Sequence, residues 1–367
     1  MKIAIDVHSV GSQAGGNETY FRQLVSGLIQ DRSDNRYTLF HTHAGVLEET
    51  GRDPRFDRVP IPRNAVLRNC ISIPRLLHAI QPDVFHCQYI QPPWGKTRTV
   101  VTIHDLAFEH CPAWFHPLEA FRMKKLVRRT ARRADHILTV SQFSAADISS
   151  RYGVPRDKIT VTYLAASECF RPRDKHLARE RLAKSHGIDF PFLLYVGRVQ
   201  ARKNLLRLVE AYARLRKQGL ATRLVIVGKR DFQSERLAAK VADLGLEASV
   251  GFPGFVSFED LPWFYNAAEA FVFPSLFEGF GLPVVESMAS GVPTITSRGS
   301  SLEEVAGEGA MLIDPLDTSS LAGALERVLG DAALREQLIS RGLRRSAEFK
   351  PGELSARVLA VYRSLER

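Results

Sequence analysis

Short apolar runs alternate along the whole chain with longer stretches in which apolar residues recur every three or four positions. That alternation predicts strands joined by crossover helices, and so parallel sheets of an α/β fold. In the first half the predicted strands are Lys2–Asp6, Tyr37–His41, Val84–Cys87, Thr99–Ile103, His136–Val140 and Ile159–Tyr163. In the second half they are Phe192–Val196, Arg223–Val227, Val250–Phe252, Ala270–Phe273, Thr294–Ser297 and Met311–Ile313. Between the two sets, Glu168–Pro191 is rich in Arg, Lys, Asp and Pro, with one helical piece around Ala178–Lys184, and reads as an interdomain connection. At 367 residues the chain exceeds one ordinary core and fits two. The expected organisation is two doubly wound domains facing a central cleft: residues 1–168, a linker at 169–190, residues 191–347, and a closing segment at 348–367. Ligands should bind where strand ends open onto that cleft. The stretch from Ser355 to Arg367 places Val358, Leu359, Val361, Tyr362 and Leu365 at helical spacing, a pattern that suits packing on either domain.

Composition narrows the class. Apolar residues make up 45% and charged residues 25%, as in a water-soluble globular chain. No apolar run approaches the roughly 20 residues that span a bilayer. Met1–Asp6 reads as a strand, because Asp6 and His8 interrupt the apolar core a signal peptide needs. Cys70, Cys87, Cys111 and Cys169 lack metal-ligand spacing and are expected as reduced thiols in a cytoplasmic protein. The net charge of +10 concentrates between Arg122 and Arg133, where Arg122, Lys125, Arg129, Arg132 and Arg133 share one helix face. Met123, Val127, Thr130, Ala131 and Ala134 fall on the opposite face. Such a face is either simply solvated or a dock for the anionic headgroups of the inner membrane surface, at about 1 kcal/mol per basic side chain. No nucleic-acid motif accompanies the charge, and no nucleic acid is expected as a partner.

The densest chemistry lies at Phe277–Glu286, F-E-G-F-G-L-P-V-V-E. A buried strand precedes it and Pro283 suits the first position of a helix, where a missing N–H costs nothing. Gly279 and Gly281 allow backbone amides close to a ligand at a helix N-terminus, which favours negative charge. Glu278 in the loop and Glu286 one turn into the helix then bracket a phosphate with two hydroxyl-binding carboxylates, the outline of a nucleotide sugar. Arg198 and Lys203 follow the strand Phe192–Val196 and suit neutralisation of a departing diphosphate. The first strand is followed by Gly11-Ser12-Gln13-Ala14-Gly15-Gly16-Asn17, a ligand loop or a tight turn that matches neither G-x-G-x-x-G nor a Walker motif. His104-Asp105 ends the strand Thr99–Ile103, which suits contact with substrate, whereas His86 and His110 read as structural. Ser141 and Ser144 read as helix caps. No D-x-D or other metal cluster is evident, and no metal or other cofactor is expected.

Taken in order, A-G-G-N, T-I-H-D-L, I-L-T-V-S-Q-F-S, Y-V-G-R with R-K-N, L-V-I-V-G-K and F-V-F-P-S-L-F-E-G-F-G-L-P-V-V-E resemble the retaining glycosyltransferases of family 4 over nearly the whole length. The resemblance implies a GT-B fold of two Rossmann-like domains, with the last helix returning to the first. It implies that Glu278 contacts donor-sugar hydroxyls, Glu286 the ribose, Arg198 and Lys203 the diphosphate, and His104 the sugar. Amides of Gly15, Gly16, Phe280, Gly281 and Leu282 would meet the phosphates and sugar, and the nucleobase would rest near Gly228, Lys229 and Gly254. The implied reaction moves a hexose from a nucleoside-diphosphate sugar to a hydroxyl with retention, by a metal-independent front-face displacement.

The segment T-I-H-D-L-A-F with C-P-A-W-F looks like bacterial mannosyltransferases of polysaccharide assembly, which puts GDP-mannose first with UDP-sugars still open, and a glycan or lipid-linked acceptor first with a soluble sugar still open. Two alternatives stand beside this. A nucleotide-sugar epimerase of the same fold would need cleft carboxylates from the first domain, for which Asp6 and Asp105 are the candidates. A non-catalytic basic nucleic-acid-binding protein would rest on the net charge alone.

Overall fold

The computed structural model describes residues 1–12, 15–43, 45, 47–229 and 234–366. It divides into two compact units, Met1–Leu164 with Pro351–Arg367, and Ala165–Lys350. Each is built around one parallel sheet, as the strand–helix alternation requires.

In the first unit seven strands, β1 (Lys2–Asp6), β2 (Arg36–His41), β3 (Phe56–Pro60), β4 (Val84–Gln88), β5 (Arg98–Thr102), β6 (His136–Thr139) and β7 (Ile159–Val161), lie in the order β3-β2-β1-β4-β5-β6-β7. Register runs Ile3 beside Tyr37 on one side and Val84 on the other, so the strand order reverses direction at β1/β4. All five residues of β4 are buried, the polar His86 and Gln88 included. Phe85, Val101 and Ile137 form the centre of the core beneath helix Pro117–Arg133, which contributes Val127 and Ala131.

Six of these strands fall within two residues of the predicted ones. β3 was not expected, for a physical reason: Phe56-Asp57-Arg58-Val59-Pro60 is largely polar because it is an edge strand, where one face meets water and a terminal proline costs no ladder bond. In the second unit six strands, β8 (Phe192–Val196), β9 (Arg223–Val227), β10 (Val250–Gly254), β11 (Ala270–Phe273), β12 (Thr294–Ser297) and β13 (Met311–Ile313), take the order β10-β9-β8-β11-β12-β13. The order reverses between β8 and β11, and the loops after these two strands carry the R-K-N and F-E-G-F-G sequences.

The stretch 169–190 lies inside the second unit. Asp174 caps helix Lys175–His186 by accepting from the Leu177 amide at 2.8 Å. That helix packs on helix Leu261–Ala267, where Arg173 and Arg181 lie over the Trp263 ring at 4.2 and 4.8 Å.

The last helix, Glu353–Ser364, belongs to the first unit and packs on helix Gly16–Gln30. Tyr362, fully buried, shares a 2.5 Å hydrogen bond with His86 Nδ1, while His86 Nε2 meets Thr102 Oγ1 at 2.7 Å. Burial, with the neighbouring His104 adding to it, pushes His86 down to about 3, so the imidazole is neutral and its two nitrogens divide into one donor and one acceptor. His86 is thus the bolt between sheet and terminal helix, a structural role as expected. Gly27 permits the helices to meet: a Cβ there would stand 2.1 Å from Ser355 Oγ and 2.4 Å from its Cβ. Gly27→Ala should therefore destabilise the first unit by about 1–3 kcal/mol despite alanine's better helix propensity. Thermal unfolding checks this, with Gly27→Ala/Ser355→Gly expected to recover most of the loss.

Candidate functional site

In the second unit the turn after β8 and the loop after β11 are locked together by charge. Lys203, buried at the end of the turn Ala201–Lys203, donates from Nζ to Glu278 Oε1 at 2.5 Å. Arg202 Nη1 reaches Glu278 Oε2 at 2.7 Å and the Phe277 carbonyl at 3.2 Å. The Leu276 amide returns a bond to the Arg202 carbonyl at 2.7 Å. Below, Asn204 takes a left-handed conformation, φ 60°, so that its amide donates to the carbonyls of Pro274 and Pro315. Lys203 Nζ also lies 4.7 Å over the Phe273 ring, which stacks on Tyr195.

Glu278 is 6% exposed, and burial alone would hold its carboxyl neutral; the Arg202 and Lys203 charges outweigh that and bring it down to about 2. Both cations pair with the same carboxylate. Ser301 Oγ donates to the Glu278 carbonyl at 2.7 Å and to that of Phe280 at 3.3 Å, shaping the loop before helix Leu282–Ala289. Gly281 opens that helix at φ 98°, where a Cβ would stand 2.3 Å from Leu302 Cδ2, and no side chain caps it. Phe280 is buried edge-on against Phe349, and Leu282 is buried beside it.

Glu286, 8% exposed, stands within the same helix and accepts a 2.9 Å bond from the Tyr265 hydroxyl. With no cation beside it among the described residues, burial raises it to about 7, against the opposing effect of the Tyr265 bond. The two glutamates thus differ in charge state near neutrality, although only seven residues separate them.

Arg198 is exposed on the loop after β8, and its carbonyl accepts from the Tyr195 hydroxyl at 3.3 Å. Gly228 follows β9 at φ 149°, and a Cβ there would lie 2.0 Å from the Gly197 carbonyl oxygen, so only glycine lets these two strand ends cross. The Gly228 amide bonds the Gly254 carbonyl at 2.8 Å, and the Lys229 carbonyl accepts from Val199 at 3.3 Å.

His104, Gly15 and Gly16 belong to the first unit. His104 is buried with Tyr20 edge-on at 5.0 Å, and burial pushes it down to about 3, fixing a neutral ring. Its Nε2 lies 3.4 Å from Gln88 Nε2, which in turn reaches the Asn17 carbonyl at 3.2 Å, linking the histidine to the glycine loop. Gly15, at φ 64°, precedes helix Gly16–Gln30 without a side-chain cap; Gln13 and Ala14 of the same loop lie outside the described residues. Ser141 caps helix Gln142–Tyr152 through the Ser144 amide at 3.0 Å, and the Ser144 hydroxyl holds the His104 carbonyl at 2.9 Å. Asp6 is bonded to His8 at 2.9 Å, and Asp105 accepts from the Ala107 amide at 3.0 Å. Among the described residues no cluster of three or more His, Cys, Asp or Glu is placed to hold a metal ion.

Sequence reasoning passed over Arg202 and Tyr265. Arg202 stands inside R-K-N, next to the lysine it assists, and its adjacency was the available signal. Tyr265 lies 21 residues from Glu286 in a helix of its own, and no spacing rule joins them.

The glutamates set a pH dependence. Between about 4.5 and about 7 the folded state keeps the Glu286 proton that the unfolded chain has lost, so stability falls as pH rises through that window. Glu278 runs oppositely, its stabilisation present above 4.5 and lost as pH falls toward about 2. Glu286→Gln should abolish roughly 2 kcal/mol of the decline between about pH 5 and about pH 7. Urea unfolding across that range measures it, and an unchanged slope would mean the carboxylate is ionised throughout.

Comparisons with known proteins identify the family. The family model "Glycosyl transferases group 1" matches residues 178–345 and "Glycosyltransferase Family 4" matches residues 14–166. The chain is 33% identical to the O-antigen chain mannosyltransferase B of Escherichia coli, over the full length of both. It is 28% identical to the MMP alpha-(1->4)-mannosyltransferase of Mycolicibacterium hassiacum, over 99% of this chain and 98% of that one. Its fold matches sucrose-phosphate synthase from Thermosynechococcus elongatus with a TM-score of 0.81 at 23% identity, covering 100% and 99% of the two chains. Two parallel-sheet units, the paired glutamates and these matches have one reading: the chain belongs to the family 4 glycosyltransferases of the GT-B fold, and is a hexosyltransferase of that type.

Proposed function

We propose that the chain transfers a hexose, mannose first among them, from a nucleoside-diphosphate sugar such as GDP-mannose to a hydroxyl of a glycan or lipid-linked acceptor, with retention and without a metal. The observation that carries this is Glu278 clasped by Arg202 and Lys203 beside an uncapped helix start. The clasp is a placeholder. An arriving diphosphate offers the two cations better acceptors than a single carboxylate, because its charge is larger and spread over several oxygens. Glu278, released, then accepts hydroxyl protons of the sugar, and the helix amides at Gly281 and Leu282 favour the phosphate charge. Arg198, exposed on the loop after the same strand, adds a third cation, and Glu286 with Tyr265 receives the ribose hydroxyls. His104 and the amides of Gly15 and Gly16 keep the sugar and phosphate roles that the resemblance gives them.

The step balances without a protein nucleophile. The acceptor oxygen bonds the anomeric carbon on the face the leaving diphosphate vacates, the carbon–oxygen bond to that phosphate breaks, and its oxygen takes the acceptor proton. Lys203 and Arg202 stabilise the charge left behind. Mannose is favoured because the full-length relative is named a mannosyltransferase. A cationic diphosphate clamp does the work a metal performs elsewhere, which supports metal independence.

A peripheral contact with anionic membrane is part of the same reading. Helix Pro117–Arg133 exposes Arg122, Lys125, Arg128, Arg129, Arg132 and Arg133, and near its start Leu118 and Phe121 are each 62% exposed. Apolar side chains beside a basic face suit insertion between acidic headgroups. No helix among the described residues is long and apolar enough to cross a membrane.

Thermal stabilisation by a panel of GDP-, UDP- and dTDP-sugars in EDTA tests the donor reading: one nucleotide family should shift the melting temperature, and GDP-mannose most of all. No shift with any of them would overturn it, and a strict need for metal in the transfer assay would overturn the metal-free step. With that donor saturating, Lys203→Ala should lower turnover about 100-fold. Phe121→Ser/Lys125→Ser/Arg128→Ser should weaken binding to vesicles rich in phosphatidylglycerol while leaving nucleotide binding intact; equal vesicle binding would remove the membrane contact.

A further inference from the structure

The Glu278 loop is tied to a helix of six residues, Ser301–Ala306. A helix that short is marginal on its own, so its place is set by what grips its ends. At its start Ser301, fully buried, holds the carbonyls of Glu278 and Phe280. Toward its far end the carbonyls of Glu303 and Ala306 accept the amides of Gly307 and Gly309 at 3.0 and 2.8 Å. The two carbonyls between them go to one guanidinium. Arg345 donates from Nη2 to Glu304 at 2.6 Å and from Nε to Val305 at 3.0 Å, across 41 and 40 residues of chain. A cation placed there also meets the negative end of the helix.

Arg345 reaches the same loop a second way. Its guanidinium lies 4.9 Å over the Phe349 ring, while exposed Glu348 pairs with Nη1. Phe349 meets Phe280 edge-on, the centroids 5.5 Å apart at 87°, and both rings are buried. One route from Arg345 to the loop therefore runs through the short helix and Ser301, the other through two aromatic rings. Among the described residues the hydrogen bonds of Arg345 go to the two carbonyls and to Glu348. Its influence on Glu278 is thus carried by the loop backbone. The helix that bears it, Ala332–Ser346, packs on helix Leu282–Ala289, which carries Glu286. There Gly342 lies so near Met288 that a Cβ on it would stand 3.3 Å from Met288 Cγ.

We propose that Arg345 and Phe349 are positioning residues for the transfer, which set the place of Glu278 without touching substrate. The proposal rests on the glycosyl-transfer reading above and deepens it by naming what keeps the loop in its working shape. Arg202 and Lys203 hold the carboxylate end of Glu278, and Arg345 holds its backbone end through Ser301. When a diphosphate draws the two cations to itself, the backbone anchor is what keeps the freed carboxylate aimed at the sugar. Misplacement of such a group by about 1 Å can cost about 100-fold in rate. Nucleotide affinity depends less on this anchor, because Glu286 and Tyr265 stand on helices of their own.

Arg345→Met removes the carbonyl bonds but keeps the apolar stem, and Phe349→Leu removes the ring. The substrate is whichever nucleotide sugar stabilises the wild-type chain, saturating and well below each variant's melting temperature. Nucleotide release should then fall about tenfold in both variants, with nucleoside-diphosphate affinity held within about twofold. Phe349→Tyr, which keeps the ring, should restore most of the rate. Arg345→Met combined with Ser301→Ala should lose less than the product of the two single losses, because one route serves both. Should Arg345→Met fail to fold, Arg345→Lys carries the test, with a several-fold loss expected. Full turnover in the folded variants overturns the proposal, and so does a pair whose losses simply multiply. Hydrogen exchange gives a readout independent of the reaction: amides of residues 277–282 should exchange about tenfold faster in Arg345→Met while those of β8 hold. Unchanged exchange overturns the positioning role whatever the chain transfers. Faster exchange in a chain whose wild type turns over no nucleotide sugar would instead strike the transfer reading and leave the support of the loop standing.

Discussion

The structure of the second unit turns on one ion cluster that joins two loops. Glu278 and Lys203 sit where burial makes an unpaired ion costly, and their 2.5 Å bond, with the 2.7 Å bond from half-buried Arg202, makes the ensemble tolerable. The loop after β11 adopts its shape because both ends of the glutamate are claimed from the turn after β8, with backbone bonds between Leu276 and Arg202 and between Asn204 and Pro274 running in parallel. The same bonds lock the loop, and on the proposed reading the same two cations attract a diphosphate.

The glycines around this cluster have a different task, one of clearance. At Gly228 and Gly281 a Cβ would collide with neighbours at 2.0 and 2.3 Å, and each contact joins a strand end or helix start to the next element. Close approach brings backbone amides to the mouth of the sheet, where side chains would otherwise stand. Charge and clearance therefore cooperate: arginine and lysine provide the field, and glycine lets the backbone add its own dipoles to it.

How much of this was legible depends on how local each interaction is. Strands such as Phe192–Val196 and Ala270–Phe273 are buried on both faces and announce themselves as continuous apolar runs. The edge strand Phe56–Pro60 meets water and has no such signature. Glu278 and Glu286 stood out because their loop and helix are contiguous in sequence. Tyr265, which supplies the hydroxyl bonded to Glu286, comes from another helix and is invisible to any local pattern. Arg202 was overlooked beside Lys203 because adjacent residues on a regular element point apart; the turn Ala201–Lys203 is what brings both onto one carboxylate.

The two glutamates show why environment rather than residue type assigns a role. Both are buried, both sit in the same short segment, and their unperturbed acidities are alike. Cations hold Glu278 ionised far below neutrality, so it enters any encounter as an anion already paired. Glu286 has only a tyrosine hydroxyl, and near neutrality it is divided between carboxyl and carboxylate. A vicinal diol donating two hydrogen bonds would favour the carboxylate and draw its proton affinity down. Ligand affinity at Glu286 should consequently strengthen as pH rises through about 7, while affinity governed by Glu278 stays level there, because that group has no proton left to lose. Proton release on binding thus separates the contribution of one carboxylate from that of the other.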